Sequence, residues 1–267
     1  MPAQLPGIAA LAVRRWRDGH WEEARDEVAE EAPVALTFNS IPHVVMLATP
    51  RDLTDLGRGF ALTEALVAAP AEIRAAELKQ DGEALEVALS VPQERLAVLL
   101  AQRRNLTGRT GCGVCGAETI AEAIRRPAPV ASGGAIARAQ LAQALRELRG
   151  WQTLGASTGS LHAAAWVDWQ GGIRLVREDV GRHNALDKVV GALLEQGADL
   201  QQGFLIITSR ASYEMVQKAA TAGIRLLVAV SAPTALAVRL AQQANLTLVG
   251  FARDTQQVVY THPERVT

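Results

Sequence analysis

The last third of the chain restricts the fold most, because apolar runs and amphipathic segments alternate there without a break. FLIIT, IRLLVAV and LTLVGFA read as strands, and SYEMVQKAATAG and PTALAVRLAQQA between them read as helices. Strands apolar on both faces belong in a covered sheet, and their alternation with helices predicts βαβ units and a partly parallel sheet. Ligands of such sheets bind at the carboxyl ends of the strands. Those ends carry Thr208-Ser209-Arg210, Val230-Ser231-Ala232 and Phe251-Ala252-Arg253, which puts arginine and hydroxyl side chains around one rim.

The preceding residues extend this unit. HAAAWVDW and IRLVRED read as strands joined at Gln170-Gly171-Gly172, a good hairpin turn. From Leu186 the apolar residues Val189, Val190, Leu193 and Leu194 recur at helical spacing, as in a helix packed on a sheet. A further helix runs from about Ile136 to Arg149, with Leu141, Leu145 and Leu148 inward and Gly150 closing it. RRPAPVASGGA, residues 125–135, reads as a linker.

Before the linker, APVALTFN and IPHVVMLAT form a hairpin about Asn39-Ser40. DLGRGFALTEALV is a helix, EALEVALSVP a strand, and QERLAVLLAQRR a helix with Leu96, Leu99 and Leu100 on one face. The expected fold class is therefore α/β, α+β overall. A polar arm over 1–30, mobile or an edge strand, precedes a small α+β domain over 31–120. An α/β domain over 121–267 follows.

The chain holds 49% hydrophobic and 21% charged residues, the balance of a soluble protein with a sizeable core. MPAQLPGIAALAVRRWRD is a poor signal peptide, since its apolar stretch is short, follows no basic residue and is broken by Pro6. No window is long and apolar enough for a spanning helix. A net charge of −1 offers no general attraction to nucleic acid or membrane, and 4% aromatics argues against base-stacking platforms.

The only two cysteines, Cys112 and Cys115, lie in RTGCGVCGAE. Two thiols cannot build a disulfide framework, which favours a reducing cytoplasm. A zinc site needs further ligands, but none of the five histidines forms an H-x-E or H-x₃₋₅-H pattern near the pair, so no metal is expected. A thioredoxin-type couple sits between a strand and a helix, whereas Gly111, Gly113 and Gly116 suit a mobile loop. Arg103, Arg104 and Arg109 just upstream favour the thiolate, the nucleophilic form.

A second constellation is REDVGRHNALDK, in which Gly181-Arg182-His183-Asn184 meets the start of a helix. Free amides, an arginine and an imidazole make an anion site there; a helix cap with a buried, hydrogen-bonded His183 fits the same residues. No G-x-G-x-x-G follows a strand, which sets aside a dinucleotide dehydrogenase. On physical grounds alone the reading reaches a reactive thiol and an anion-binding rim.

TGCGVCG, EDVGRHNALDK, TSRASYEMVQKAA, VSAPTALAVRLA and YTHPER resemble the FdhD/NarQ family of formate dehydrogenase accessory sulfurtransferases, from about Pro33 to Arg265. The resemblance implies a C-terminal domain like cytidine deaminase, three-layered with a mixed sheet and without the deaminase zinc signature, and a homodimer. It implies that sulfur is accepted as a persulfide from a cysteine desulfurase. The sulfur then passes to the Mo-bis(molybdopterin guanine dinucleotide) cofactor needed by the formate dehydrogenase catalytic subunit. Cys112 would carry the persulfide and Cys115 assist transfer. The family's cofactor-binding stretch falls on Phe251, Ala252, Arg253, Asp254, Thr255 and Gln256. Arg182 and His183, from the helix start, and Ser209 and Arg210, from the strand-end rim, are further candidate site residues read from the sequence itself. The chain departs from the usual pattern at Asp254, at Ser160 and in DLTDLGRGF. Two rival functions remain open: a thiol–disulfide oxidoreductase, and a cofactor-binding chaperone without sulfur chemistry.

Overall fold

A computed structural model describes residues 7–106 and 125–267, and the side chains of 102–106 are not described. Three sheets organise the described residues. The first is a two-stranded hairpin of β1 (Ile8–Arg17) and β2 (His20–Ala29), turning at Asp18 and Gly19, both with positive φ. The polar segment over 1–30 is thus regular antiparallel structure for most of its length. Its polarity hid this, because most of the hairpin is exposed and no apolar alternation develops. Cross-strand pairs hold it instead: Trp16 stacks edge-on against Trp21 at 5.3 Å, and Arg14 faces Glu23.

The second sheet has the order β4-β3-β6-β5, formed by β3 (Ala32–Phe38), β4 (Ile41–Ala48), β5 (Ala75–Asp81) and β6 (Ala84–Ser90). Asn39 and Ser40 have φ of 48° and 65° at the β3–β4 turn, the positive values that a tight hairpin demands. Strand β5 was not anticipated; Lys79, Gln80 and Asp81 at its end are exposed, so its apolar signal is thin. Helices α1 (Leu53–Thr63) and α2 (Leu96–Leu106) complete this unit.

The third sheet has six strands, and its first five in chain order are β7 (His162–Asp168), β8 (Ile173–Asp179), β9 (Gly203–Ile207), β10 (Leu226–Ala229) and β11 (Thr247–Gly250). The sixth is a short edge strand, β12 (Val258–Val259), and the spatial order is β12-β11-β10-β9-β7-β8. Strands β9, β10 and β11 are mutually parallel and the other pairings antiparallel.

Helix α3 (Arg138–Trp151) covers one face of this sheet, burying Leu141, Ala144 and Leu148 against Phe204, Ile206, Leu226 and Val228. It runs through Gly150 rather than ending there. Helices α5 (Arg182–Glu195), α6 (Tyr213–Thr221) and α7 (Ala235–Gln243) cover the other face, and a single turn, α4 (Gly155–Thr158), precedes β7. The result is a mixed, three-layered α/β unit of the expected class.

Helix α5 is buried on nearly all sides, because the sheet lies beneath it and α1 lies across it. The crossing is close enough to require glycine. A Cβ on Gly59 would stand 1.8 Å from the Asp187 carbonyl oxygen, and one on Gly191 1.8 Å from that of Asp55. One apolar core therefore runs from Val34, Leu36 and Phe38 through Leu186 and Val190 to Leu205 and Leu227, joining the two larger sheets.

Candidate functional site

The carboxyl ends of β9, β10 and β11 lie on one edge of the six-stranded sheet, where β7 begins and β8 ends, since His162 pairs with Asp179 and Ala164 with Ile207. Along this rim stand Arg182 and His183, then His162, Ser209 and Arg210, Ser231, and finally Phe251 and Arg253. Three strand spacings separate the β7 position from the β11 position, roughly 14 Å. Arg182, His183, Ser209 and Arg210 thus share an edge with the start of the 251–256 stretch.

At one end of the rim, β8 runs through Val180-Gly181 into α5. Asp179 is fully buried and fixes this turn: it accepts from the Gly181 amide at 2.8 Å, Asn184 Nδ2 at 2.9 Å and the Thr49 amide at 3.1 Å. Lys188 Nζ lies 2.5 Å from Asp179 Oδ2 and donates to the Thr49 carbonyl at 2.9 Å. Burial pushes the Lys188 ammonium below its ordinary pKa, against the pull of Asp179. Glu178 accepts from the amides of Leu154 and Gly155 at 2.9 and 2.7 Å, tying α4 to the same strand end. Most of the motif REDVGRHNALDK is therefore scaffold that aims its two central residues at the rim.

Those two residues meet Glu214 of α6. His183 Nε2 lies 2.8 Å from Glu214 Oε2, and an Arg182 terminal nitrogen lies 3.8 Å from the same oxygen. Burial pushes the Glu214 carboxyl up, but the His183 hydrogen bond and the His183 and Arg182 charges outweigh it and hold it below the usual range. His162 is shifted down, first by burial and then by the charges of Arg182 and His183. His183 is partly buried, and its Nε2 faces the Glu214 carboxylate.

At the other end of the rim, Phe251 keeps a φ of 48° and is 42% exposed, an aromatic ring held at the strand end in a left-handed backbone. Its amide donates to the Ser231 carbonyl and that of Ala252 to the Ala229 carbonyl. Arg253 to Gln256 form a tight turn closed by Arg253 N–H to Gln256 O at 2.7 Å, and the exposed Asp254 accepts from the Thr255 amide at 2.9 Å. Asp254, Thr255 and Gln256 face Arg138 and Ala142 of α3 across a groove of about 750 Å³. Ser209 is buried, its hydroxyl donating to the Arg210 carbonyl at 3.1 Å, so it shapes the turn, while Arg210 is exposed.

Behind the rim lies a charged network that sequence reasoning missed. Lys218 Nζ is buried 2.7 Å from Asp187 and 2.9 Å from Glu64, and Thr63 Oγ1 donates to Asp187 at 2.7 Å. Glu64 also pairs with Arg125, whose carbonyl accepts from the Tyr213 hydroxyl. Burial alone would raise the Glu64 carboxyl, yet Lys218 and Arg125 bring it down to about 2. These partners are up to 155 residues apart, so no local pattern announces them. His162 and Glu214, also missed, carried no signal beyond their residue type.

Cys112 and Cys115, with Arg109, lie outside the described residues. Among the described residues, no group of histidines, acids or cysteines forms a metal cluster, and no helix is long and apolar enough to cross a membrane.

Residues 29–267 match the model of the FdhD/NarQ family. The chain is 51% identical over 261 residues to the sulfur carrier protein FdhD of Xanthomonas campestris pv. campestris strain B100, covering 98% of this chain and 93% of that one. It is 49% identical over 266 residues to the protein of the same name from Bordetella bronchiseptica, covering 99% and 96%. A crystal structure from Desulfotalea psychrophila, described as that of a formate dehydrogenase accessory protein, superposes with a TM-score of 0.78 at 25% identity, covering 98% of this chain and all of that one. Kinship at this level over nearly the whole length, on a shared fold, leaves one assignment: the chain belongs to the FdhD/NarQ family.

Proposed function

We propose that this protein is a cytoplasmic sulfur carrier. It takes persulfide sulfur from a cysteine desulfurase and passes it to the Mo-bis(molybdopterin guanine dinucleotide) cofactor, for the maturation of formate dehydrogenase. The observation that carries the reading is half identity, along almost the entire chain, to proteins named sulfur carriers. That the only two thiols form one C-x-x-C pair agrees with it.

In the loading step the Cys112 thiolate attacks the outer sulfur of the donor's persulfide. The donor S–S bond breaks, the donor cysteine leaves as thiolate, and a new S–S bond forms on Cys112 with no net oxidation. Cys115, two residues on from Gly113, is placed by its spacing to take or release that sulfur. The acceptor is a guanine dinucleotide and so carries phosphates. The rim supplies matching chemistry, with Arg182 and His183 at one end and Arg253 beside an exposed Phe251 at the other.

Intact mass spectrometry after incubation with a cysteine desulfurase and cysteine tests the reading. Wild type should gain about 32 Da, one sulfur, and Cys112→Ala should gain nothing. A reversible Cys112–Cys115 disulfide with no sulfur gained on any variant would refute the carrier and establish a thiol–disulfide couple.

A further inference from the structure

We infer that the outer face of the four-stranded sheet docks a partner protein, from Val45 and Leu47 on β4 to a pocket beside Glu30, Glu31 and Glu83. The partner presents an extended segment with lysine or arginine next to apolar side chains. The inference goes beyond the sulfur-carrier reading and rests on it only for which protein the partner is.

Three observations converge. The first is an apolar strip. Val34, Leu36 and Val87 turn one face of this sheet to α1 and the core, where a Cβ on Gly57 would stand 2.7 Å from Val87. Register puts their neighbours on the opposite face, where Pro33 pairs with Leu47 and Ala35 with Val45. Val45 is 66% and Leu47 57% exposed, and Pro33 is exposed beside them. Single exposed apolar side chains are ordinary, but adjacent ones on paired strands make a contact surface. Strand β4, IPHVVMLA, also carries none of the charged residues by which an edge strand is usually guarded.

The second is a pocket with unmatched charge. Where the strip reaches the start of β3, a cavity of about 420 Å³ opens over Pro33, Pro50 and Leu85. Its lining includes Glu30, Glu31 and Glu83 and no basic residue. None of these three carboxylates makes an ion pair among the described residues, and Lys79 on the same sheet face is turned to Glu86 at 4.0 Å. An apolar floor with an acidic border complements a segment that is apolar in the middle and basic beside it. A second copy fits poorly, because an isologous contact would bring the same carboxylates together.

The third is location. Pro50 follows Thr49, whose amide donates to Asp179 at 3.1 Å and whose hydroxyl accepts from the Val180 amide at 3.2 Å. The Leu47 carbonyl accepts from Asn184 Nδ2 at 2.8 Å. The strip therefore ends against the turn that carries Arg182 and His183, at one end of the rim. A protein held here stands beside the rim at high effective concentration, where a ligand passes between the two without release to solvent.

A fluorescein-labelled peptide of alternating valine and lysine, and its counterpart with glutamate for lysine, should be titrated against the purified protein by fluorescence anisotropy. Wild type should bind the lysine peptide saturably and at least about tenfold more tightly than the glutamate peptide, with an affinity that falls as salt is raised. Glu30→Gln, Glu31→Gln and Glu83→Gln combined should weaken binding about tenfold, and Val45→Lys several-fold. Removing as many charges elsewhere, by Glu94→Gln, Glu147→Gln and Glu264→Gln at exposed positions, should leave it unchanged. Unaltered melting temperatures check that the variants fold. Equal weakening by the distant triple would reduce the effect to net charge and overturn the inference, as would an absence of saturable binding by wild type. So would sedimentation in which Val45→Lys converts a dimer to a monomer, since the strip would then be a seam between copies. Sulfur loading of the same preparations keeps the two readings apart. Peptide bound without sulfur loading would sink the carrier and leave the docking surface standing, and loading without peptide binding would do the reverse.

Discussion

Replacing Gly59 with alanine should be among the most damaging single-methyl changes this fold can receive. The added Cβ would lie 1.8 Å from the Asp187 carbonyl oxygen, 2.5 Å from its carbon and 2.9 Å from the Asp187 Cα. All three are backbone atoms of α5, so no side chain can swing aside. To restore ordinary contact, α1 and α5 must part by roughly 1.5 Å. Overpacking of this kind costs about 1–3 kcal/mol. Parting also stretches the 2.7 Å bond from Thr63 Oγ1 to Asp187, and a buried hydrogen bond to a charged group contributes about 1.5–3 kcal/mol.

Together these give a loss of about 4 kcal/mol, or a Tm about 8–16 °C lower at the sensitivity of chains of this size. Urea unfolding followed by tryptophan fluorescence measures it. Gly191→Ala strains the same crossing from the other side, its Cβ 1.8 Å from the Asp55 carbonyl oxygen. The double variant should therefore lose clearly less than the two single losses added, since helices already parted accommodate the second methyl. A Gly59→Ala protein within about 0.5 kcal/mol of wild type, or strict additivity of the pair, would refute backbone contact between these helices.

The opposite sign is expected at Gly150, inside α3, where an added Cβ would meet nothing within 4 Å and alanine should stabilise by about 0.5–1 kcal/mol in the same unfolding assay. Lys188→Met should cost about 3–5 kcal/mol of unfolding free energy, because it strands the fully buried Asp179 carboxylate. Glu64 has its folded pKa depressed from 4.5 to about 2, so its contribution is complete above the unfolded value and lost as pH falls from about 4.5 towards 2. The urea stability gap between wild type and Glu64→Gln should thus be about 3 kcal/mol at pH 6 and close progressively below pH 4.5. Asp187, whose carboxyl is pushed up by burial and in smaller part by the Glu64 charge, contributes the opposite slope, and that slope is shallower in Glu64→Gln because one of its causes is gone.

Much of the architecture was legible because its signals are local. The alternation after Gly203 announces β9, β10 and β11 with their helices, and Asn39-Ser40 and Gln170-Gly172 announce two hairpins through the backbone those turns require. The blocks that carry the family resemblance are legible for the same reason, as contiguous words. Strand β5 and the β1–β2 hairpin escaped because solvent on much of their surface removes the alternation that marks a strand.

The rim was foreseen as a place, since strand direction alone decides which ends point the same way. Its internal pairing was not. That His183 meets Glu214, that Lys218 lies between Asp187 and Glu64, and that Gly59 must be glycine all depend on which helices cross and how closely. By itself the sequence determined the elements, their periodicity and the single pair of thiols. Only tertiary structure decided which charges are buried together, because those contacts join residues 31 to 155 positions apart and their energy exists only once the core has closed around them.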